Sequence, residues 1–109
     1  MCGLIGSSYL DINSRDVLDL NHRGPDSNGV FKKEKISIGH TRLSIIGIDD
    51  GSQPLVSKDG RYSLVFNGEI YNYIELKKYF KEDFVTDSDT EVLFQLLMKI
   101  GVKKTLEKI

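Results

Sequence analysis

A chain of 109 residues, 39% hydrophobic and 28% charged, has the composition of an ordinary soluble globular domain and excludes a disordered or low-complexity polymer. Fifteen Lys and Arg against sixteen Asp and Glu leave a net charge of -1, so no nucleic-acid partner is expected; Lys32, Lys33 and Lys35 are broken by Glu34, Lys77, Lys78 and Lys81 are followed by Glu82 and Asp83, and both clusters read as solvated faces. One cysteine rules out an internal disulfide and a cysteine-rich metal site, and with neither a secretory leader nor an apolar run of bilayer length, no membrane partner is expected and a cytoplasmic location is the default.

Leu4-Ile5, a short apolar run flanked by Gly3 and Gly6 and followed by Tyr9 and Leu10, points to a buried strand over residues 3–9. Ser14 is a candidate cap for a short helix over 15–21, with Val17, Leu18 and Asn21 near one face. His22 to Asn28 reads as a loop turned by Gly24-Pro25 and Asp26. Gly29-Val30-Phe31 and Ile36-Ser37-Ile38 then flank a charged turn at 32–35. Leu43 to Ile48 is apolar at nearly every position, the pattern of a strand covered on both faces, ended by Asp49-Asp50-Gly51. Leu55-Val56 and Arg61 to Phe66 suggest a hairpin across Lys58-Asp59-Gly60, with Tyr62, Leu64 and Phe66 on one face. Two helices follow. Asn72 with Glu75 forms a candidate cap pair for the first, where Tyr73, Leu76 and Phe80 share a face. Ser88 with Glu91 predicts a capping box for the second, where Val92, Leu93, Leu96, Leu97 and Ile100 form an apolar stripe closed by Gly101. Strands first and helices afterwards give an α+β layer arrangement.

Several residues carry possible chemistry. If Met1 is removed, Cys2 gains a terminal amine whose pKa, about 7.7–8, suits it to take the proton of its own thiol. The alternative is an incidental cysteine near a chain end. Gly24-Pro25-Asp26 by itself is a rigid surface turn, with Asp26 a local capper and His22 an ordinary exposed histidine. Arg42, after His40 and Thr41, stands at the head of the apolar run, where its planar fork suits a carboxylate; a guanidinium snorkelling to the sheet edge is the other reading. Asn67-Gly68 is a strong hairpin signal, yet no second alternating strand follows. A side-chain amide beside a glycine N–H also suits an oxyanion hole. Asp87-Ser88-Asp89-Thr90-Glu91 suits helix capping, and one of its carboxylates could hold an ammonium.

Met1-Cys2-Gly3, His22-Arg23-Gly24-Pro25-Asp26, His40-Thr41-Arg42-Leu43-Ser44-Ile45, Gln53-Pro54-Leu55, Asn67-Gly68-Glu69-Ile70-Tyr71-Asn72 and Thr86-Asp87-Ser88-Asp89-Thr90-Glu91 fall in one order along the chain. Together they resemble the class-II glutamine amidotransferases, and most closely the glutaminase domain of glutamine-hydrolysing asparagine synthetases. The resemblance implies an N-terminal-nucleophile hydrolase fold, an αββα sandwich of two antiparallel sheets between helix layers. It implies Cys2 as nucleophile with its freed amine as base, and Asn67 and Gly68 as oxyanion hole. It matches Arg42 and the backbone of Leu43, Ser44, Ile45 and Ile46 to the glutamine carboxylate site. Glu69 and Asp89 match substrate-holding positions, Asp89 at the ammonium. The implied substrate is L-glutamine, hydrolysed through a glutamyl-thioester, and the implied partner is a synthetase domain that receives the ammonia. No cofactor and no metal is implied for the glutaminase half; ATP and Mg belong to the synthetase domain, and no Ser-Gly-Gly-type pyrophosphate loop occurs here.

Two departures stand out. The segment before His22 is shorter than is usual, and the family's glutaminase domain is nearly twice as long as this chain. Residues 1–109 are therefore expected to be the first half of the domain, poorly folded alone, with the 92–100 stripe short of cover. A non-catalytic remnant acting as a binding module, and a glutaminase serving an amino-sugar synthase, are the alternatives.

Overall fold

The computed structural model describes residues 1–81 and 83–109; Glu82, read above as flanking a lysine cluster, lies outside them. The architecture is α+β with antiparallel sheets. Two compact units divide the chain: Met1–Ile45 with Ser52–Gly68, and Ile46–Gly51 with Glu69–Ile109.

The first unit is built on a three-stranded antiparallel sheet of order β1-β3-β2, from β1 (Gly3–Ser7), β2 (Ser27–Lys33) and β3 (Ile36–Arg42). The β2–β3 hairpin turns at Glu34-Lys35, with Glu34 at φ 55°. β3 is hydrogen-bonded along both edges, and Gly39 to Arg42 are all buried. β1 is an edge strand, shorter than expected and only partly covered, with Leu4 44% exposed. Helix α1 (Ser14–Leu18) crosses the sheet and buries Val17 completely. It reaches the sheet over Gly39, where a Cβ would lie 2.4 Å from Val17 Cγ2. Its cap is Asn13, not Ser14: the Asn13 side chain accepts from Arg15 and Asp16 N–H, and Asp16 reaches back to the Asn13 N–H. The second hairpin is reduced to β4 (Leu55–Val56) and β5 (Ser63–Leu64), in the register Leu55↔Leu64.

The apolar run Leu43 to Ile48 is not a strand. β3 ends at Arg42, and Leu43, Ile45 and Ile48 are exposed. The amides that would extend a ladder are taken elsewhere: Leu43 N–H by the Cys2 sulfur and Ser44 N–H by the Asp26 carboxylate. Hydrophobicity alone could not reveal that competition.

The second unit contains α2 (Tyr73–Phe80) and α3 (Asp89–Leu106), packed on each other. Neither predicted cap pair forms as written. Asn72 makes no side-chain cap bond, and its amide donates to Lys108 O at 2.7 Å. Ser88 does cap α3 through Thr90 N–H. Glu91, however, turns from the cap and accepts from Val85 N–H, Thr86 N–H and the Thr86 hydroxyl, at 2.7–3.0 Å. A buried carboxylate with three donors satisfies a loop that has no ladder of its own. Gly101 interrupts α3 at φ 78°, ψ 170°, and a further helical turn continues to Leu106. The predicted stripe is covered in its first half, where Val92, Leu93 and Leu96 are buried and each side chain contributes roughly 1.5–3 kcal/mol, while Leu97 and Ile100 are only half-buried.

Candidate active site

The site assembles on the first unit, around a residue that sheet pairing fixes. Gly3 pairs with Thr41, which carries Cys2 alongside the Arg42–Leu43 end of β3. A Cβ on Gly3 would lie 2.6 Å from Thr41 Oγ1 and 2.8 Å from Leu20 Cβ, so this approach requires glycine. Cys2 is held from three directions. Its N–H donates to Asn67 Oδ1 at 3.0 Å, and Arg23 Nε donates to its carbonyl at 3.0 Å. Its sulfur accepts from Leu43 N–H at 3.4 Å and faces the Leu43 carbonyl at 3.8 Å.

Asn67 is oriented by that first bond. An N–H can be met only by the amide oxygen, so the Asn67 NH₂ end is turned away from the Cys2 nitrogen, and both its hydrogens are available to another acceptor. Gly68 follows directly, packed over the Phe66 ring so closely that a Cβ would meet Cζ at 2.6 Å. The Asn-Gly pair does not close a β-hairpin: β5 ends at Leu64, and the chain after Ile70 enters α2. Phe66, outside any strand, has its main chain held by side chains. Its N–H donates to Gln53 Oε1 at 2.6 Å, and its carbonyl accepts from His40 Nε2 at 3.2 Å.

The Arg23–Asp26 loop does more than the surface turn expected of it. A Cβ on Gly24 would lie 2.5–2.7 Å from the main chain of Thr41 and Arg42. Asp26 N–H donates to Arg42 O at 3.0 Å, and its carboxylate accepts from Ser44 N–H at 2.7 Å, eighteen residues away. The loop therefore brackets the strand end against which the Cys2 sulfur rests. Gly24→Ala is expected to destabilise the protein by about 1–3 kcal/mol, because backbone cannot give way as a flexible side chain does. Urea unfolding at unchanged m-value measures it, and an unshifted midpoint would show that the loop stands off from the strand.

Among the remaining predicted residues, Arg42 is buried at the end of β3, with Ser44 half-buried and Ile45 exposed just beyond. Leu43 and Ser44 already use their N–H groups on Cys2 and Asp26. Ile46, Glu69 and Asp89 belong to the second unit. There Glu69 is exposed. Asp89 is buried, accepting from Ile70 N–H at 2.9 Å and, more distantly, from the Thr90 hydroxyl at 3.4 Å. Arg23 and Gln53 lie inside motifs that resemble the family yet have no role assigned from sequence, and Asp26, expected to be a local capper, bonds instead to Ser44. His40 is fully buried and hydrogen-bonded to the Phe66 carbonyl. Burial lowers its pKa from the ordinary histidine value, the Phe66 carbonyl opposing and the Arg42 charge adding to the effect. His22 is exposed, its Nδ1 donating to Asp19 O.

Among the described residues no group of three or more His, Cys, Asp or Glu could hold a metal ion, and no helix is long and apolar enough to cross a membrane. The sequence profile of a glutamine amidotransferase domain matches residues 1–109. The chain is 55% identical over 75 residues to a glutamine-hydrolyzing asparagine synthetase 1 of Bacillus subtilis, covering 66% of this chain and 12% of that protein. It is 42% identical over 111 residues to a glutamine-hydrolyzing asparagine synthetase 1 of Arabidopsis thaliana, covering 94% and 19%. A putative glutamine-hydrolyzing asparagine synthetase 2 of Methanocaldococcus jannaschii is 34% identical over 126 residues, covering 93% and 24%. Alignment with this chain thus takes in no more than about a quarter of each of these relatives.

Proposed function

Because the chain belongs to the glutamine amidotransferase domain family, we propose that it hydrolyses L-glutamine to glutamate and ammonia, with Cys2 as the nucleophile. One observation carries the reading: the nitrogen and the sulfur of Cys2 are both fixed, the nitrogen on Asn67 Oδ1 and the sulfur on the Leu43 main chain. Removal of Met1 converts that nitrogen from an amide to an amine. The amine takes the thiol proton, directly or through water. The thiolate attacks the glutamine side-chain carbonyl, and the oxygen that becomes negative is met by the Asn67 NH₂ and the Gly68 N–H. The ammonium returns its proton to the departing nitrogen, which leaves as ammonia. Water then cleaves the thioester, releasing glutamate and restoring the thiol.

The Arg42 guanidinium is assigned to the substrate carboxylate, with the Leu43–Ile46 backbone beside it. Asp89 is assigned to the substrate ammonium and Glu69 to its neighbourhood; a free amino acid needs both an anion and a cation receptor. The family reading carries an N-terminal-nucleophile αββα sandwich, to which these antiparallel sheets would contribute. The names of the relatives support asparagine synthesis over amino-sugar synthesis as the use of the ammonia, so a synthetase domain is the proposed recipient. ATP and Mg are assigned to that domain and to no residue within 1–109. A nucleophile that must remain a thiol suits a reducing compartment, which supports a cytoplasmic setting.

The test combines intact mass with labelling. The mature protein should lack Met1, and a glutamine-analogue electrophile should label Cys2 and be blocked by glutamine. Arg42→Ala should raise, about tenfold or more, both the analogue needed to label Cys2 and the glutamine needed for protection, since a substrate carboxylate without its partner loses on the order of 1.5–3 kcal/mol. Retained Met1, or labelling indifferent to glutamine, would sink the proposal.

A further inference from the structure

Phe66 is an unusual neighbour for a reacting residue. It precedes Asn67, lies beyond the last ladder of β5, and has both of its main-chain polar groups held by side chains. Those two side chains, His40 and Gln53, are 0% and 8% exposed. They arise from separate segments, His40 from the central strand β3 and Gln53 from the chain before β4. A backbone carbonyl only accepts, so His40 must carry its proton on Nε2; its Nδ1 is buried with no hydrogen-bond partner among the described residues. A charged imidazole would put a second N–H into that unpartnered position, so the neutral form is the one the site holds.

We propose that His40 and Gln53 are positioning residues for the oxyanion corner: they hold both the carbonyl and the N–H of Phe66 and thereby set where the Asn67 amide and the Gly68 N–H point. The inference rests on the reading of Asn67-Gly68 as the oxyanion hole. The Phe66 ring, lying under Gly68, transmits the same constraint one residue further. The physical reason is that a short segment without ladder bonds is free to shift by an ångström, and a donor displaced by that much from a developing charge loses most of its effect. The Gln53-Pro54-Leu55 motif, which has no contact with substrate in the reading above, acquires a function through this clamp.

The test compares variants that keep or remove the clamp in otherwise similar volume, in the full protein as expressed. His40→Leu and Gln53→Met remove a hydrogen-bonding group; His40→Gln retains an N–H donor near the Nε2 position. The expected result is a fall in glutaminase kcat of about 10-fold to 100-fold for His40→Leu and for Gln53→Met with KM within twofold, and recovery of most of it in His40→Gln. Alkylation of Cys2 by iodoacetamide, a displacement that develops no oxyanion, is expected at the wild-type rate in all three. A merely structural role would slow alkylation and turnover together and would not distinguish His40→Gln from His40→Leu; that pattern, or a wild-type kcat in Gln53→Met, overturns the clamp. If the wild-type protein turns over no glutamine, the hydrolase reading falls and takes the clamp with it. If the wild type is active and His40→Leu matches it, only the clamp falls.

Discussion

Cys2→Ala is expected to abolish ammonia release from glutamine while leaving the fold intact. Loss of the attacking group in enzymes that form an acyl intermediate costs on the order of 10⁴–10⁶ in kcat, because no other group in the site can take its place. The structural cost is small by comparison. Cys2 is half-buried, and its nitrogen and carbonyl, which hold Asn67 and Arg23, survive the change. The Leu43 N–H loses its acceptor and the Leu43 carbonyl a long, weak S–H donor, so stability should change by no more than about 1 kcal/mol. Glutamate formation and thermal unfolding, measured on the same preparation, separate the two effects. Turnover surviving above a hundredth of wild type would exclude Cys2 as nucleophile.

The second large effect is expected at Asn67, and the choice of replacement determines what is learned. Asn67→Ala removes both ends of the amide, the oxygen that anchors the Cys2 nitrogen and the NH₂ assigned to the oxyanion. Asn67→Asp keeps an acceptor for the nitrogen and supplies no donor at neutral pH. Losing one oxyanion donor costs roughly 10²–10³ in kcat. Asn67→Asp should lose at least that much, since a carboxylate also repels the negative charge that forms. If anchoring the amine were the residue's whole contribution, Asn67→Asp would instead remain near wild type. Measuring kcat and KM for both variants decides the matter, with the loss expected in kcat.

The elements that periodicity could reveal were legible in the sequence. α3 kept its apolar stripe, and the β2–β3 hairpin formed around its charged turn. The misreadings fall where a polar side chain from far away outcompetes a local pattern. Leu43 to Ile48 reads as a buried strand by composition, but Cys2 and Asp26 take the amides that a ladder would need. Glu91 has the spacing of a capping box and yet turns to Val85 and Thr86. Asp26 has the look of a local capper and bonds instead to Ser44. Within the site, Cys2 and Asn67 were legible because their chemistry is carried by residue type and order. Arg23 and Gln53 were not, since a side chain bound to main chain leaves no trace in spacing.

The first residues of a protein are ordinarily its loosest, fraying before anything else. Here the second residue is stitched in by partners 21, 41 and 65 positions downstream. A ribosome must therefore deliver the chain at least as far as Asn67 before the thiol meets the groups that would arm it. Until then the newborn chain carries a sulfhydryl with no aligned amide and no anchored nitrogen. On the proposed reading, glutamine consumption would be a late product of folding, and its onset would report that Cys2 has reached Arg23, Leu43 and Asn67.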